Sequence, residues 1–280
     1  MIQPTIAKRE VTKHILKTFD IHMSKKLGQN FLIDESIVHD IVDAADIQEG
    51  ETVLEIGPGI GTLTQALAEA KANVVAVEID NRLPEVLAKT LEGYENVRIV
   101  HGDILKVNIP EIVQSAQFKV VANLPYYITT PIIMALLEQR LPVTKLVTMV
   151  QKEVADRMVA KPGKKDYGAL SVAVQYYTEP KIVADVPPKS FIPSPAVDSV
   201  VICCDVRTQP AVEVESEKMF FRVVKAAFSQ RRKTLNNALK TMGIPVETIK
   251  MAIDKADIDG TRRGETLSLQ EFAAIANQIK

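Results

Sequence analysis

The sequence predicts an α/β fold, Rossmann-like in outline, with a small all-helical part after it. Three observations carry that prediction. Short apolar runs alternate with amphipathic helical patterns from Thr52 to Val206, the order that lays helices on both faces of a mostly parallel sheet. A glycine-rich turn, Gly57-Pro58-Gly59-Ile60-Gly61, joins the first strand pattern to a helix pattern; glycine there lets backbone approach a ligand at the carboxyl end of a parallel strand. Beyond Arg207-Thr208-Gln209-Pro210, a turn-like linker, only helical periodicities remain. The chain therefore divides at 208/209. Residues 1–208 form the first domain, with 1–24 as an N-terminal extension, and 209–280 form the second.

In chain order, a short helix is expected from Thr12 to Phe19. Asp34 caps a helix whose apolar face is Ile37, Val38, Ile41, Val42 and Ala45. Thr52 to Ile56 is a buried strand, and Thr62 to Ala70 a helix with Leu63, Ala66 and Leu67 on one face. Strands follow over Asn73 to Ile79 and Val97 to Val100, and Val120-Val121-Ala122 leads into Asn123. Thr130-Pro131 opens a helix with Ile132, Ile133, Leu136 and Leu137 inside. Leu146 to Val150 is a strand, Gln151 to Met158 a charged helix and Gly168 to Tyr177 an apolar one. Lys181 to Ala184 and Val197 to Val206 close the sheet. Helices are then expected over Glu217 to Phe228, Arg231 to Met242, Pro245 to Asp254 and Ser268 to Gln278.

With 280 residues, 46% hydrophobic and 25% charged, the chain has a globular profile. No run approaches 18 apolar residues, so no membrane span is expected, and the first residues lack an apolar secretory core. Cys203 and Cys204 are adjacent, point to opposite faces of a strand and have no companions at metal-ligand spacing. A reducing cytoplasm and no metal are the natural reading. Net charge is −1, which conceals an asymmetry: the part from Gln209 onward is net basic. Basic residues cluster at Lys25-Lys26, Lys161 to Lys165, Arg231-Arg232-Lys233 and Arg262-Arg263. Such clusters attract phosphate even on a near-neutral protein.

The chemistry concentrates at strand ends. Asn123-Leu124-Pro125-Tyr126 offers an amide oxygen, a rigid turn and an aromatic face, a set suited to a flat amino-bearing base such as adenine. Glu78 ends the second strand, 21 residues beyond Gly57, where an acid can bind ribose hydroxyls. Asp103 follows the third strand and can accept from an adenine amino group. Glu55, Glu78 and Asp103 would surround a cation rather than a pyrophosphate. S-adenosylmethionine, an adenosine bearing a sulfonium, answers that description.

Six motifs in colinear order resemble one family. They are Lys25-Lys26-Leu27-Gly28-Gln29-Asn30-Phe31-Leu32, Glu55 to Gly61, Val77-Glu78-Ile79-Asp80, Asn123 to Tyr127, Phe191 to Ser199 and Phe228 to Lys233. Together they resemble the KsgA/RsmA-type small-subunit (16S) rRNA adenine N6-dimethyltransferases, whose superfamily includes the Erm-type resistance enzymes. The resemblance implies a class I S-adenosylmethionine-dependent methyltransferase fold with a seven-stranded sheet and one late antiparallel strand. It implies cofactor contacts at Asn30, Leu32, Gly57, Glu78, Asp103 and Asn123, with Gly59, Ile79 and Ile104 lining the pocket and Gln29 supporting the methionine end. Asn123, Leu124, Pro125 and Tyr126 would hold the target base, with Phe191 on its other face. Arg231, Arg232 and Lys233 would contact RNA.

The implied reaction places two methyls on each of two adjacent adenosines in the 3′-terminal hairpin loop of 16S rRNA, within an immature small ribosomal subunit. A monomer is expected. Two rivals stand beside this reading: an Erm-type enzyme acting on 23S rRNA, and a factor that mainly binds the small subunit as an assembly checkpoint. The Gly-Pro-Gly-Ile-Gly loop, Tyr126-Tyr127 and the Phe191 to Ser199 motif resemble the small-subunit group more closely.

Overall fold

The structure is a computed structural model and describes residues 4–24, 27–230 and 232–279. Its contacts divide the chain into two compact units, residues 1–155 with 181–206, and 156–180 with 207–280.

The elements of the first unit are helix α1 (Arg9–Thr18), strand β1 (Phe31–Leu32), α2 (Glu35–Ala45), β2 (Thr52–Ile56), α3 (Thr62–Glu69), β3 (Asn73–Glu78), α4 (Leu83–Thr90), β4 (Val97–His101), α5 (Ile109–Val113), β5 (Phe118–Asn123), α6 (Thr129–Glu138) and β6 (Val143–Gln151). Helix α7 (Lys152–Val159) leaves it, and α8 (Ala169–Tyr177) belongs to the second unit. Strand β7 (Thr178–Val186) returns, followed by β8 (Phe191–Ile192) and β9 (Ser199–Val206). Seven strands form one sheet in the order β4-β3-β2-β5-β6-β9-β7. Strands β4 to β6 pair parallel, and β9 pairs antiparallel with β6. The expected late antiparallel strand is therefore β9.

Strands covered on both faces must be apolar on both. Val53, Leu54, Val120, Val121 and Ala122 have no exposed surface. Helix α2 buries Ile37, Val38, Ile41 and Ala45, and Val42 packs partly buried beside them. Asp34 stands at the start of α2 but bonds sideways, accepting from Ser36 Oγ at 2.6 Å and Ser190 Oγ at 2.8 Å. Burial pushes its carboxyl up, and these hydrogen bonds outweigh that and leave it below the usual range. The N-terminal extension contributes Ile6, Ile15 and Ile21 to a cluster with Ile60, Leu83 and Leu87. Ile60 is the apolar member of the glycine-rich turn, so the extension backs that turn with packed side chains.

The second unit holds α8 and, after Arg207, helices α9 (Glu217–Phe228), α10 (Leu235–Ala238), α11 (Val246–Lys255) and α12 (Leu269–Ala276). The expected division assigned 156–180 to the first domain. The structure groups them with the C-terminal helices because Tyr176 stacks on Phe220 with ring centroids 4.9 Å apart and meets Phe221 edge-on at 5.2 Å. The helix expected over Arg231 to Met242 is shorter and begins at Leu235. Its first amides are taken elsewhere, Leu235 N donating to Arg262 O at 2.7 Å and Asn236 N to Gly260 O at 3.0 Å.

A side chain at Gly264 would place its Cβ 2.8 Å from the Ala227 carbonyl oxygen, a contact that only backbone movement relieves. Gly264→Ala is expected to cost about 1–3 kcal/mol, read as a lower denaturation midpoint with an unchanged m-value. A midpoint equal to that of the parent protein would show that the α9 backbone yields freely.

Candidate active site

The strand order reverses at β2. Strands β3 and β4 lie on one side of it, β5 and β6 on the other. Connections leaving β2 and β5 therefore run in opposite directions and open a crevice at their carboxyl ends. That cleft has two lobes. One is lined by Asn30, Leu32, Glu55, Gly57, Gly59, Thr62, Glu78, Ile79 and Asn123 to Tyr126. The other shares Gly57, Ile79 and Pro125 and adds Asp103, Ile104, Tyr127 and Ile132. All of the residues expected to hold the cofactor line one lobe or both.

The glycines shape the first lobe. Gly57 and Gly59 have φ of +69° and +62°, a region that disfavours side chains. A Cβ on Gly59 would also press on the Phe31 ring at 3.2 Å, whereas around Gly57 the space is open. The Gly59 amide donates to Glu78 Oε2 at 3.1 Å, and the Asp80 amide to Glu78 Oε1 at 2.8 Å. Burial raises the Glu78 carboxyl above its ordinary value despite these two amides, and the Asp80 charge adds to the rise. Asp80 behaves oppositely. Hydrogen bonds from Arg82 outweigh burial and hold it down at about 2.

Glu55 forms the floor and is 1% exposed. Its Oε2 and the hydroxyl of Thr62 are buried with no hydrogen-bond partner among the described residues. Burial pushes its carboxyl up to about 8, the Thr64 hydroxyl beside it offsets part of the rise, and the Glu78 charge adds to it. A buried carboxyl without a partner is costly as an anion, and a cation in the cleft would lower that cost.

The turn after β5 carries the base-holding candidates. Asn123 Nδ2 donates to the Asn30 carbonyl at 3.2 Å. That bond consumes the amide's donor side toward residue 30 and leaves Oδ1 unengaged among the described residues. The Pro125 carbonyl already accepts from Ile128 N at 3.1 Å and Thr129 Oγ1 at 3.0 Å. The Leu124 carbonyl is engaged by no described residue, so it is the better second acceptor. Tyr126 is half-buried and its hydroxyl lies 2.6 Å from Ser199 Oγ; burial raises that hydroxyl above its usual range. Ser199, at the start of β9, therefore fixes the ring.

Phe191 is not brought into the cleft. It is 2% exposed, packs in the core with Leu32 and Val186, and pairs with Leu32 in the antiparallel β1–β8 ladder. Its ring anchors the loop that faces Leu32. Asp103 lines the second lobe, accepts from Leu105 N at 3.0 Å and pairs with Lys106 at 3.5 Å. Ile79, 48% exposed, presents an apolar wall shared by both lobes. The sequence reading gave no role to Asp80, Arg82, Ser199 or Thr62. Only the acid two residues beyond Glu78 hinted at the first of them.

The second unit presents a basic edge. Arg231 lies outside the described residues, as do Lys25 and Lys26. Arg232 and Lys233 are exposed in the turn before α10, not on a helix as expected. The backbone bond from Leu235 to Arg262 sets this turn beside Arg262-Arg263, and Gly163 N donates to Glu265 O at 2.8 Å. The loop carrying Lys161, Lys164 and Lys165 thus adjoins the same segment. Arg262 is engaged by Glu271, while Arg263 and Lys161 are exposed. No group of three metal-ligating side chains occurs among the described residues, and no helix there is long and apolar enough to cross a membrane.

A family model described as ribosomal RNA adenine dimethylase matches residues 21–280. The ribosomal RNA small subunit methyltransferase A of Alkaliphilus oremlandii (strain OhILAs) is 49% identical over 280 residues, covering 98% of each chain. That of Geobacillus thermodenitrificans (strain NG80-2) is 52% identical over 277 residues, covering 96% of this chain and 94% of the relative. Among solved structures, a dimethyladenosine transferase from Plasmodium falciparum superposes with a TM-score of 0.76 at 28% identity, covering 88% of this chain and 95% of that one. The 23S rRNA methyltransferase ErmE gives 0.69 at 26% identity, covering 89% and 99%.

Because Glu55 has its carboxyl raised in the folded state, the folded protein binds that proton more tightly than the unfolded chain. Its contribution is fully present below the ordinary carboxyl value of 4.5 and is lost as pH rises through about 8. Glu55→Gln removes this titration. The variant's melting temperature is expected to fall less than that of the parent between pH 5 and pH 9; parallel curves would show that Glu55 does not titrate in this window.

Proposed function

The chain belongs to the ribosomal RNA adenine dimethylase family, and we propose that it transfers methyl groups from S-adenosylmethionine to N6 of two adjacent adenosines in the 3′-terminal hairpin loop of 16S rRNA. The observation that carries the reading is the Asn123–Asn30 hydrogen bond at 3.2 Å. It leaves an amide oxygen unengaged beside the unengaged Leu124 carbonyl, in a cleft floored by acids. The full-length relatives near half identity carry the small-subunit name, which supports that target over the Erm-type one. The substrate partner is the immature small subunit in the cytoplasm, approached by a monomer.

The donor set suits the cofactor. An open left-handed glycine at position 57, a buried Glu55 carboxyl with one oxygen lacking a partner, and Glu78 held by two amides together favour a cationic nucleoside. Asn30, Leu32, Gly57, Gly59, Glu78 and Asn123 would hold its ribose and amino-acid portions, and Ile79, Asp103 and Ile104 its base. When bound, S-adenosylmethionine supplies a methyl group activated by a positive sulfur.

The protein's own residues prepare the acceptor. An adenine N6 lone pair is delocalised into the ring and is a poor nucleophile. Asn123 Oδ1 and the Leu124 carbonyl accept its two amino hydrogens and favour a pyramidal nitrogen, freeing the lone pair. Tyr126, held by Ser199, stacks on the flipped base. Phe191 serves by anchoring the facing loop; its buried ring makes it a wall only if that loop opens. No strong base is required beforehand, because the amino proton becomes acidic only as nitrogen gains its methyl. Positioning and electrostatics supply most of the rate. Arg231, Arg232 and Lys233, with the neighbouring basic loops, would hold RNA phosphates.

The direct test is transfer of labelled methyl to undermethylated small subunits, large subunits and DNA, with the modified base mapped. Dimethyladenosine confined to small-subunit rRNA is expected. Label in the large subunit would move the enzyme to the Erm-type branch, and tight small-subunit binding without label would make it an assembly factor.

Asn123→Ala is expected to lower kcat by at least about 10²-fold, with a far smaller loss of cofactor affinity by calorimetry; retained turnover would remove the amide from the mechanism. Replacing Arg232 and Lys233 with Gln should reduce the slope of log affinity for small-subunit RNA against log salt by roughly one unit or more. An unchanged slope would place the RNA face elsewhere.

A further inference from the structure

We infer that Asp80 and Gln29 are positioning residues for methyl transfer: they latch the segment before β1 to the end of β3 and thereby hold the Asn30 carbonyl that orients the Asn123 amide. The inference rests on the reading that Asn123 holds the target amine.

The latch is built from a charge that cannot be left unpaired. The Asp80 side chain is 3% exposed, so its carboxylate must have its lone pairs occupied. Arg82 takes most of it, its backbone N and Nε donating to Oδ1 at 3.1 and 2.9 Å and its Nη2 to Oδ2 at 2.6 Å. Gln29 Nε2 supplies the remaining donor to Oδ2, at 2.8 Å. The same amide's oxygen accepts from Ser24 N at 2.8 Å, and Arg82 Nη1 reaches the His22 carbonyl at 3.0 Å. Both His22–Ser24 and Leu27–Asn30 are thus tied to one buried carboxylate.

Its position gives the latch its consequence. The Asp80 amide donates to Glu78, the proposed ribose ligand. On the other side, Gln29 is bonded in sequence to Asn30, whose carbonyl receives the Asn123 amide. Beyond Asn30 the chain is held by the pairing of Phe31 and Leu32 with β8 and by Ile33 N donating to Ser190 O at 2.8 Å. Releasing the Gln29 side chain leaves the peptide before Asn30 with only local bonds, Gln29 N to Ser24 O at 3.4 Å and Asn30 Nδ2 to Gly28 O at 3.1 Å, and so loosens the Asn30 carbonyl. An amide that loses that acceptor can rotate and present its donor to an amine that already has hydrogens. A displacement of about 1 Å at a reacting centre can cost on the order of 10²-fold in rate. The latch thus links the end of β3, where the nucleoside is held, to the end of β5, where the base is held.

The test uses full-length protein and undermethylated small subunits. Gln29→Ala removes the tether while leaving Arg82 on Asp80, so folding is preserved. We expect kcat to fall by roughly tenfold or more, with a melting temperature close to the parent value and a loss of cofactor affinity by calorimetry much smaller than the loss in kcat. Asp80→Asn should lower kcat as well, and the double variant should lose little beyond the worse single one, since both act through one contact. Three results would overturn the latch: unchanged kcat in Gln29→Ala, a loss lying wholly in cofactor affinity, or strictly multiplicative losses in the double variant. Asn123→Ala is run in parallel. Activity in that variant sinks the base-holding role itself, whereas an inactive Asn123→Ala beside a fully active Gln29→Ala sinks the latch alone.

Discussion

The reversal of strand order at β2 is the constraint from which the site follows. Because β3 lies on one side of β2 and β5 on the other, three strand ends open into one crevice, bringing residues 57, 78 and 123 together. None of these residues would meet another on its own strand. The parallel register Ile56↔Val77 and Ile56↔Ala122 brings the three ends level, so the glycine turn, the Glu78 carboxyl and the Asn123 amide face one space.

That space is electrostatically tense. Glu55 and Glu78 are raised by burial, while Asp80, two residues away from Glu78, is held low by Arg82. Like charges so close are tolerated because each carboxyl finds a different solution. Glu78 uses backbone amides, Asp80 uses a guanidinium, and Glu55 keeps its proton around neutral pH. Glu55 Oε2 stays buried with no hydrogen-bond partner among the described residues, a cost that a cation in the cleft would lower. The same buried charge fastens the segment before β1, because Gln29 Nε2 adds a donor to Asp80 beside those of Arg82.

The second unit obeys different rules. Its described residues are mainly helical, with only the start of β7 extended, and its packing includes a set of aromatic contacts among Tyr176, Tyr177, Phe220 and Phe221, with the Tyr177 hydroxyl engaged by Glu217. Two of its glycines serve close approach. A Cβ at Gly260 would meet the Asn236 amide and one at Gly264 the Ala227 backbone. Through these contacts and the Leu235–Arg262 and Gly163–Glu265 backbone bonds, the turns bearing Arg232, Lys233 and Arg263 and the loop bearing Lys161 adjoin, although they are far apart in sequence.

The alternation of strands and helices, the glycine turn and the acids at strand ends were legible in the sequence, because each depends on local periodicity or on a residue type that a turn requires. Leu63, Ile132 and Leu136 are buried where their spacing placed them. What local pattern could not reach depends on partners distant in the chain. The β1–β8 pairing buries Phe191 against Leu32, and no periodicity marks strands of two residues. The amides of Leu235 and Asn236 bond to residues 260–262 and shorten a helix that composition favours. The aromatic face of α8 moves it into the second unit. From the residues alone one could read which positions could serve as strand, turn, acid or amide. Which of two carbonyls in the Asn123 turn is free, and which way the amide points, rests on hydrogen bonds to Asn30, Ile128 and Thr129 that exist only once the chain has folded.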